Sequence, residues 1–302
     1  MNGVLIIDKP AGLTSHDVVN RARRILQERS IGHLGTLDPM ATGVLPLVTS
    51  TLTRLAQFYT AAEKTYEGTV RFGFATNTYD AEGEPTTTPQ TVTLRAEEVE
   101  AVAGRFRGVF EQTPPPFSAK KIHGVPAYKL ARQQKEVVLK PVQVEIKEFV
   151  ILGVEVDRAR FRARVASGTY MRSVAHEMGR ELACGAHLES LRRTSVAEFN
   201  LEDAHTLEQV AGAAAASGSP SLDDLFIHPR KLLPQFPSVT ADDATAARIR
   251  SGRTVNLSEL SRARQVKVFS GQSELIAIAT RVAGTLFHPK IVLCGAEASV
   301  RL

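Results

Sequence analysis

The chain has 302 residues, is 43% hydrophobic and 23% charged, and carries a net charge of +5. That composition fits an ordinary globular protein, with one large domain and an appendage or with two domains. No apolar run approaches the roughly 18 residues of a membrane span. With no secretory leader after Met1 and no metal-ligand spacing, Cys184 and Cys294 are expected to be free thiols in a reducing cytoplasm.

Taken in chain order, VLIID (residues 4–8) reads as a short buried strand stopped by Pro10 and Gly12. Residues 15–27 have a helical period, with Val18, Val19, Ala22 and Ile25 on one side. Residues 44–48 read as a strand and residues 52–62 as a helix with Leu55 and Phe58 inward. Residues 65–76 alternate, Tyr66, Val70, Phe72 and Phe74 sharing one parity, as a half-buried strand requires. Residues 76–89 are loop. Thr93 is a candidate cap for a helix with Leu94, Val99, Val102 and Phe106 inside. TPPPFSAKK (residues 113–121) excludes helix interior, because its prolines remove donors and fix φ.

Residues 142–154 and 158–166 read as paired strands leading into a helix with Met171, Val174, Met178 and Leu182 on one face. AGAAAASGSPS (residues 211–221) reads as a low-complexity flexible excursion. Beyond Pro237 the pattern changes to the short strands VKVF, ELIAIAT and IVLC, a small β-rich unit. Charge concentrates there: residues 238–302 hold nine Lys/Arg and five Asp/Glu, four of the five net positive charges. Residues 120–140 form a second basic stretch, with Lys120, Lys121, Lys129, Arg132, Lys135 and Lys140 against Glu136. Two solvated faces would explain both; a polyanionic partner would too.

Several chemistries drop out. There is no GxGxxG after a strand, no GxxxxGK[ST] and no GxSxG elbow, and His176-Glu177 lacks the second histidine of a zinc protease. No metal is expected. Three fragments remain that join a polar reactive side chain to tight backbone: Gly35-Thr36-Leu37-Asp38-Pro39, Lys64-Thr65-Tyr66 and Gly168-Thr169-Tyr170-Met171-Arg172. Taken singly they read as a turn, a core tyrosine and a surface arginine. If Thr169 caps the third helix, Arg172 lies at the end of the macrodipole that disfavours a cation, and a carboxylate elsewhere would explain it.

Together the fragments resemble the catalytic motifs of the TruB family, the bacterial tRNA pseudouridine-55 synthases. GHLGTLDPMATGVLPL (residues 32–47) is similar to the family's signature around its catalytic aspartate. DKPAGLTSHDVV, KTYEGTVRFGFATNTYDAEG, QTPPPFSAKKIHGVPAYKLAR, SGTYMRSVAHEMG and CGAHLESLRRT continue the resemblance in order, over residues 1 to 200. The C-terminal unit resembles a PUA domain, a small RNA-binding β module. The implied fold is α+β: a pseudouridine synthase domain (residues 1–237) with a mixed, mainly antiparallel sheet flanked by helices, then a PUA-like domain (238–302).

The resemblance implies isomerisation of the uridine at position 55, in the T loop of tRNA, without metal or cofactor. It places the catalytic aspartate on Asp38, its arginine partner on Arg172 and the base-stacking tyrosine on Tyr66. A paired guanidinium favours the carboxylate form that such chemistry needs. Substrate contacts are implied at His33, Tyr66, Tyr170, Leu191, Asp80 and Lys9, around a nucleotide flipped out of its stack. Residues 120–140 correspond to an RNA-gripping insertion, with Gln134 where the family commonly has glycine. The Ala-rich stretch at 211–216 is longer than the family implies and receives no role. The expected partner is tRNA alone, bound by a cytoplasmic monomer with no membrane and no obligatory protein. Two alternatives stand beside this: the catalytic subunit of a guide-RNA-dependent H/ACA particle, and a tRNA-binding or folding protein that does no chemistry. The basic insertion after Ala119 and the short C-terminal unit favour the stand-alone enzyme over the first. Retention of Asp38, Tyr66 and Arg172 argues against the second.

Overall fold

A computed structural model of the chain describes residues 2–118, 120–122, 124–133, 137–216, 221–257 and 262–293. The apolar run Val4–Lys9 forms strand β1 and is buried because elements cover both its faces. Helix α1, Ser15–Leu26, starts where Thr14 and Asp17 cap each other, and buries Val18, Val19 and Ala22. Strands β2 (Ile31–His33), β3 (Thr42–Thr49) and β4 (Lys64–Phe72) follow. Then come helix α2 (Ala96–Gly104) and strands β5 (Gly108–Gln112), β6 (Val142–Glu155) and β7 (Arg158–Val165). Helix α3 (Met171–Glu181), strand β8 (Ala186–Val196) and helix α4 (Leu207–Ala215) complete this part.

The large sheet runs from the short strand Ala204–His205 through β1, β3, β8, β4, β7 and β6 to β5. Only the pairings of β1 with Ala204–His205 and of β8 with β3 are parallel along this path. β4 sits at its centre, so that Tyr66 lies between Ala163 of β7 and Arg193 of β8. On β4, Tyr66, Val70 and Phe72 are buried, as the alternation predicts.

A second sheet is built from β9 (Ser238–Ala241), β10 (Val255–Asn256), β11 (Gln265–Ser270), β12 (Glu274–Ala283) and β13 (Leu286–Val292), in the order β9, β11, β12, β13, β10. Helix α5 (Asp243–Arg250) covers it, burying Ala246 and Ile249. The two sheets share an apolar cluster. Phe269, Leu275, Ile278 and Ile291 pack with Val4, Ile6, Val44, Val48, Leu52 and Leu55. The buried Lys267 ammonium donates to the carbonyls of Arg230 (2.9 Å) and Leu232 (2.6 Å), tying the second sheet to the segment that leads into it.

Three expected elements differ. Residues 52–62 are not one helix: a 3₁₀ turn, Ser50–Leu55, precedes a single α turn, Ala56–Tyr59. Ser50 takes a positive φ of 53°, and the Thr53 hydroxyl donates to its carbonyl, a local bond that competes with regular helix. Thr93 caps nothing. The Leu94 amide donates to Val156 across the sheet edge, and α2 starts after Arg95, which shares a capping box with Glu98. The Ala-rich run is in its first half helix, capped by Thr206 and Gln209, with Val210 and Ala213 buried; alanine is the strongest helix former. Residues 217–220, Gln134 and Cys294 lie outside the described residues.

Removing residues 238–302 would expose the apolar side of β1 and β3, each large side chain losing about 1.5–3 kcal/mol of burial. The full chain is expected to unfold in one transition, and a 1–237 fragment to melt at least about 5–10 °C lower. Calorimetry checks this; a fragment melting with the full chain would contradict the shared core.

Candidate active site

Between β2 and β3 the chain leaves the sheet in a loop, residues 34–41, that carries Asp38. Its backbone is held from three sides. The wholly buried Lys9 ammonium donates to the carbonyls of Pro10 (2.8 Å), Leu13 (2.6 Å) and Pro39 (3.0 Å). Burial drives its pKa down to about 8, with the charges of Asp38 and Glu82 opposing that shift. Ser15, at the start of α1, accepts from the Leu37 amide (2.8 Å) and donates to the Leu37 carbonyl (3.1 Å). From β8, the Arg193 guanidinium donates to Val44 (2.8 Å), Thr36 (3.2 Å) and Gly35 (3.0 Å) carbonyls. Gly43 stands where β3 meets β8 with φ +99°, and a Cβ there would lie 2.2 Å from the Arg193 carbonyl oxygen. No other residue fits.

Asp38 meets Arg172 in a two-pronged ion pair. Arg172 Nε donates to Asp38 Oδ2 at 2.8 Å and Nη2 to Oδ1 at 2.9 Å. The other side of the guanidinium is fixed as well: Nη1 donates to the Thr78 carbonyl (3.0 Å) and Nη2 to that of Phe117 (3.0 Å). A second carboxylate, Asp80 Oδ2, lies 3.6 Å from Nε, while its other oxygen accepts from the Thr78 hydroxyl (2.6 Å) and the Glu82 amide (3.1 Å). Arg172 is 4% exposed and the Asp38 side chain 33%, so the pair presents its anionic half to solvent.

The helix cap differs from expectation. α3 starts after Tyr170, and the Thr169 hydroxyl instead donates to the Ala166 carbonyl (3.0 Å). The buried Gln112 side chain takes over, accepting from the Tyr170 amide (2.8 Å) and donating to its carbonyl (3.1 Å). Arg172 still occupies the first turn of α3, where the macrodipole disfavours it. The two carboxylates and two carbonyls around it offset that cost.

Asp38 and Arg172 line a cleft of about 410 Å³ together with His33, Lys64, Tyr66, Tyr170, Leu191 and Arg193. Burial raises the Tyr170 pKa, and burial with the Arg193 charge lowers that of His33, whose Nδ1 accepts from the Gly35 amide. Six of the eight residues expected at the site thus share one cavity. Lys9 and Asp80 do not line it but stand directly behind it. The Lys9 ammonium is filled by three carbonyls, and Asp80 stands behind Arg172. Gln112, Ser15 and Arg193 were not anticipated. Among the described residues there is no cluster of three or more His, Cys, Asp or Glu placed to hold a metal. What the cleft offers is a partly exposed carboxylate among tyrosine, leucine and basic side chains, suited to attack or proton transfer on a bound group.

Comparison with known proteins shows the family of the chain. Residues 23–171 match the TruB family pseudouridylate synthase (N terminal domain), and residues 172–229 the tRNA pseudouridylate synthase B C-terminal domain. A tRNA pseudouridine synthase B of Solibacter usitatus is 50% identical over 97% of this chain and 100% of its own. One of Aquifex aeolicus is 37% identical over 97% and 100%. Among solved structures, a chain of a Cbf5-Nop10-Gar1 complex is 25% identical, with a TM-score of 0.69 over 94% of this chain and 79% of that one. A chain of an H/ACA RNP bound to a substrate RNA containing 2'-deoxyuridine shares the fold, with a TM-score of 0.73, 22% identity and coverage of 98% and 86%.

Lys9→Met would leave three inward carbonyls unpaired behind Asp38. It is expected to cost about 2–5 kcal/mol, read as a lower urea midpoint with an unchanged m-value. A midpoint within error of wild type would show that Lys9 does not hold the loop.

Proposed function

The chain belongs to the TruB family of pseudouridylate synthases, and on that premise we propose that the Asp38 cleft takes the uridine at position 55 of tRNA and returns it as pseudouridine. The enzyme is a tRNA pseudouridine synthase, an isomerase. The reaction breaks the N1–C1′ bond, turns the base and joins C5 to C1′; a proton leaves C5 and one is gained at N1. Every route open to the aspartate, whether attack on the sugar, attack on the base or removal of a ribose proton, needs a carboxylate aimed at the nucleotide. The observation that carries the reading is the Asp38–Arg172 fork on the cleft wall.

Tyr66 stacks on the base, with Tyr170 and Leu191 closing the pocket around it. His33 fills the gap that the extruded nucleotide leaves in its loop. Residues 120–140 grip the RNA. In the described part of that stretch, the guanidinium of Arg132 lies 5.6 Å over the ring of Tyr128, in the helix Ala127–Arg132. Residues 1–237 carry the chemistry, and 238–302 act as a PUA-like RNA-binding domain. The enzyme works in the cytoplasm as a monomer without protein partners. Full-length similarity to proteins named tRNA pseudouridine synthase B supports this over the guide-dependent reading, since the chain of the H/ACA RNP is 22% identical and the Solibacter usitatus protein 50%. No described helix is long and apolar enough to cross a membrane.

The test is one unmodified tRNA transcript incubated with the enzyme alone and mapped for pseudouridine. Wild type is expected to modify position 55. Asp38→Asn is expected to bind tRNA within a few-fold of wild type and to give no product, because an amide is neither nucleophile nor base. Turnover by purified Asp38→Asn would sink the assignment.

A further inference from the structure

The charges on the cleft wall do not balance. Asp38 is the one acid among its described lining residues, against the three permanent or titratable cations Lys64, Arg172 and Arg193. Arg172 is neutralised by Asp38 and filled by two carbonyls. Arg193 is wholly buried, and each of its three guanidinium nitrogens already bonds a backbone carbonyl, of Val44, Thr36 and Gly35, so its main contribution to the cleft is its field.

Lys64 differs from both. Its ammonium gives one N–H to the Ala62 carbonyl at 2.6 Å and forms no ion pair among the described residues, although the residue is only 9% exposed. A buried cation without a counterion is costly. Burial, and the Arg193 cation beside it, push its pKa down to about 8. Methionine would fill the same space at no such cost. A lysine held there, with two donors unspent, is explained by an anion that arrives with the substrate.

The chemistry of that anion follows from the nucleotide. Uracil and ribose are neutral, so the anions an extruded uridine brings into the cleft are the phosphodiesters on its two sides. We propose that Lys64 is a phosphate subsite, its ammonium pairing with one of the two phosphates that flank the target uridine. This rests on the reading of the cleft as a nucleotide pocket. A compact ammonium suits a phosphate as a point charge.

The test uses the full chain and a synthetic T-arm stem–loop RNA, either all-phosphate or with a neutral methylphosphonate at one flanking linkage. Lys64→Met is expected to weaken binding of the all-phosphate RNA about tenfold. One methylphosphonate position should weaken wild type by a similar factor and leave Lys64→Met nearly unchanged. Lys64→Arg should restore binding. The titratable and charged groups that share the cleft with this ammonium are Arg193 on β8, Arg172 on α3, His33 on β2, Asp38 on its loop, and Tyr59, Tyr66 and Tyr170, of which Arg193 acts on its charge most directly. Because phosphate favours the protonated ammonium, wild-type affinity should fall as pH rises through about 8, and that fall should be absent in Lys64→Arg. Should Lys64→Met not fold, the wild-type and Arg pH profiles decide. Multiplying effects of the two changes, wild-type binding by Lys64→Met, or identical pH profiles would overturn the subsite. Failure of wild type to convert the all-phosphate RNA would instead reject the nucleotide pocket itself.

Discussion

A cation in the first turn of a helix needs compensation, and much of this structure supplies it to Arg172. Asp38 comes from the loop between β2 and β3, Thr78 and Asp80 from the loop after β4, and Phe117 from the proline-rich segment after β5. Three stretches distant in sequence therefore meet on one planar guanidinium. Its fork fixes the angle of the Asp38 carboxylate as well as its charge. A lone acid before a proline becomes a directed one.

The rest of the fold holds those stretches still. Lys9, Ser15 and Arg193 grip the backbone on both sides of Asp38, and Gln112 grips the start of α3. All four side chains are buried, so their bonds face little competition from water. Behind them β1 and β3 share an apolar cluster with the second sheet. The C-terminal sheet thus shares a core with the larger one, and truncation alone cannot separate affinity from stability. Lys64, the cleft cation with donors to spare, lies inside this frame on the cleft lining.

Local rules made part of this legible. The period of two along residues 65–76 and the helical period of residues 15–27 point to β4, which ends at Phe72, and α1, which ends at Leu26, because one face of each is buried in the same core. The macrodipole argument pointed from Arg172 to a distant carboxylate although the cap is Tyr170. What failed depended on partners far along the chain. Nothing local tells that Leu94 donates its amide to Val156, and for that reason α2 begins at Ala96 and not directly after Thr93. Lys9 reads as a polar residue near a site until three carbonyls are seen around it. Arg193 looks like the twin of Arg192, yet Arg192 pairs with Asp8 at the surface while Arg193 is buried behind the loop. One strand places neighbours on opposite faces, and only the sheet order shows which face is inside.

The account stands on the geometry of Arg172 as well as on its charge, and Arg172→Lys separates the two. Lysine keeps the cation but cannot reach both Asp38 oxygens and the Thr78 and Phe117 carbonyls at once. The decisive measurement is single-turnover pseudouridine formation by Arg172→Lys at saturating enzyme, with tRNA affinity measured alongside. The account predicts a rate lower by at least about 100-fold with affinity within about threefold, because a small misplacement of the carboxylate is costly. A rate within a few-fold of wild type would contradict it, and would show that a nearby positive charge suffices.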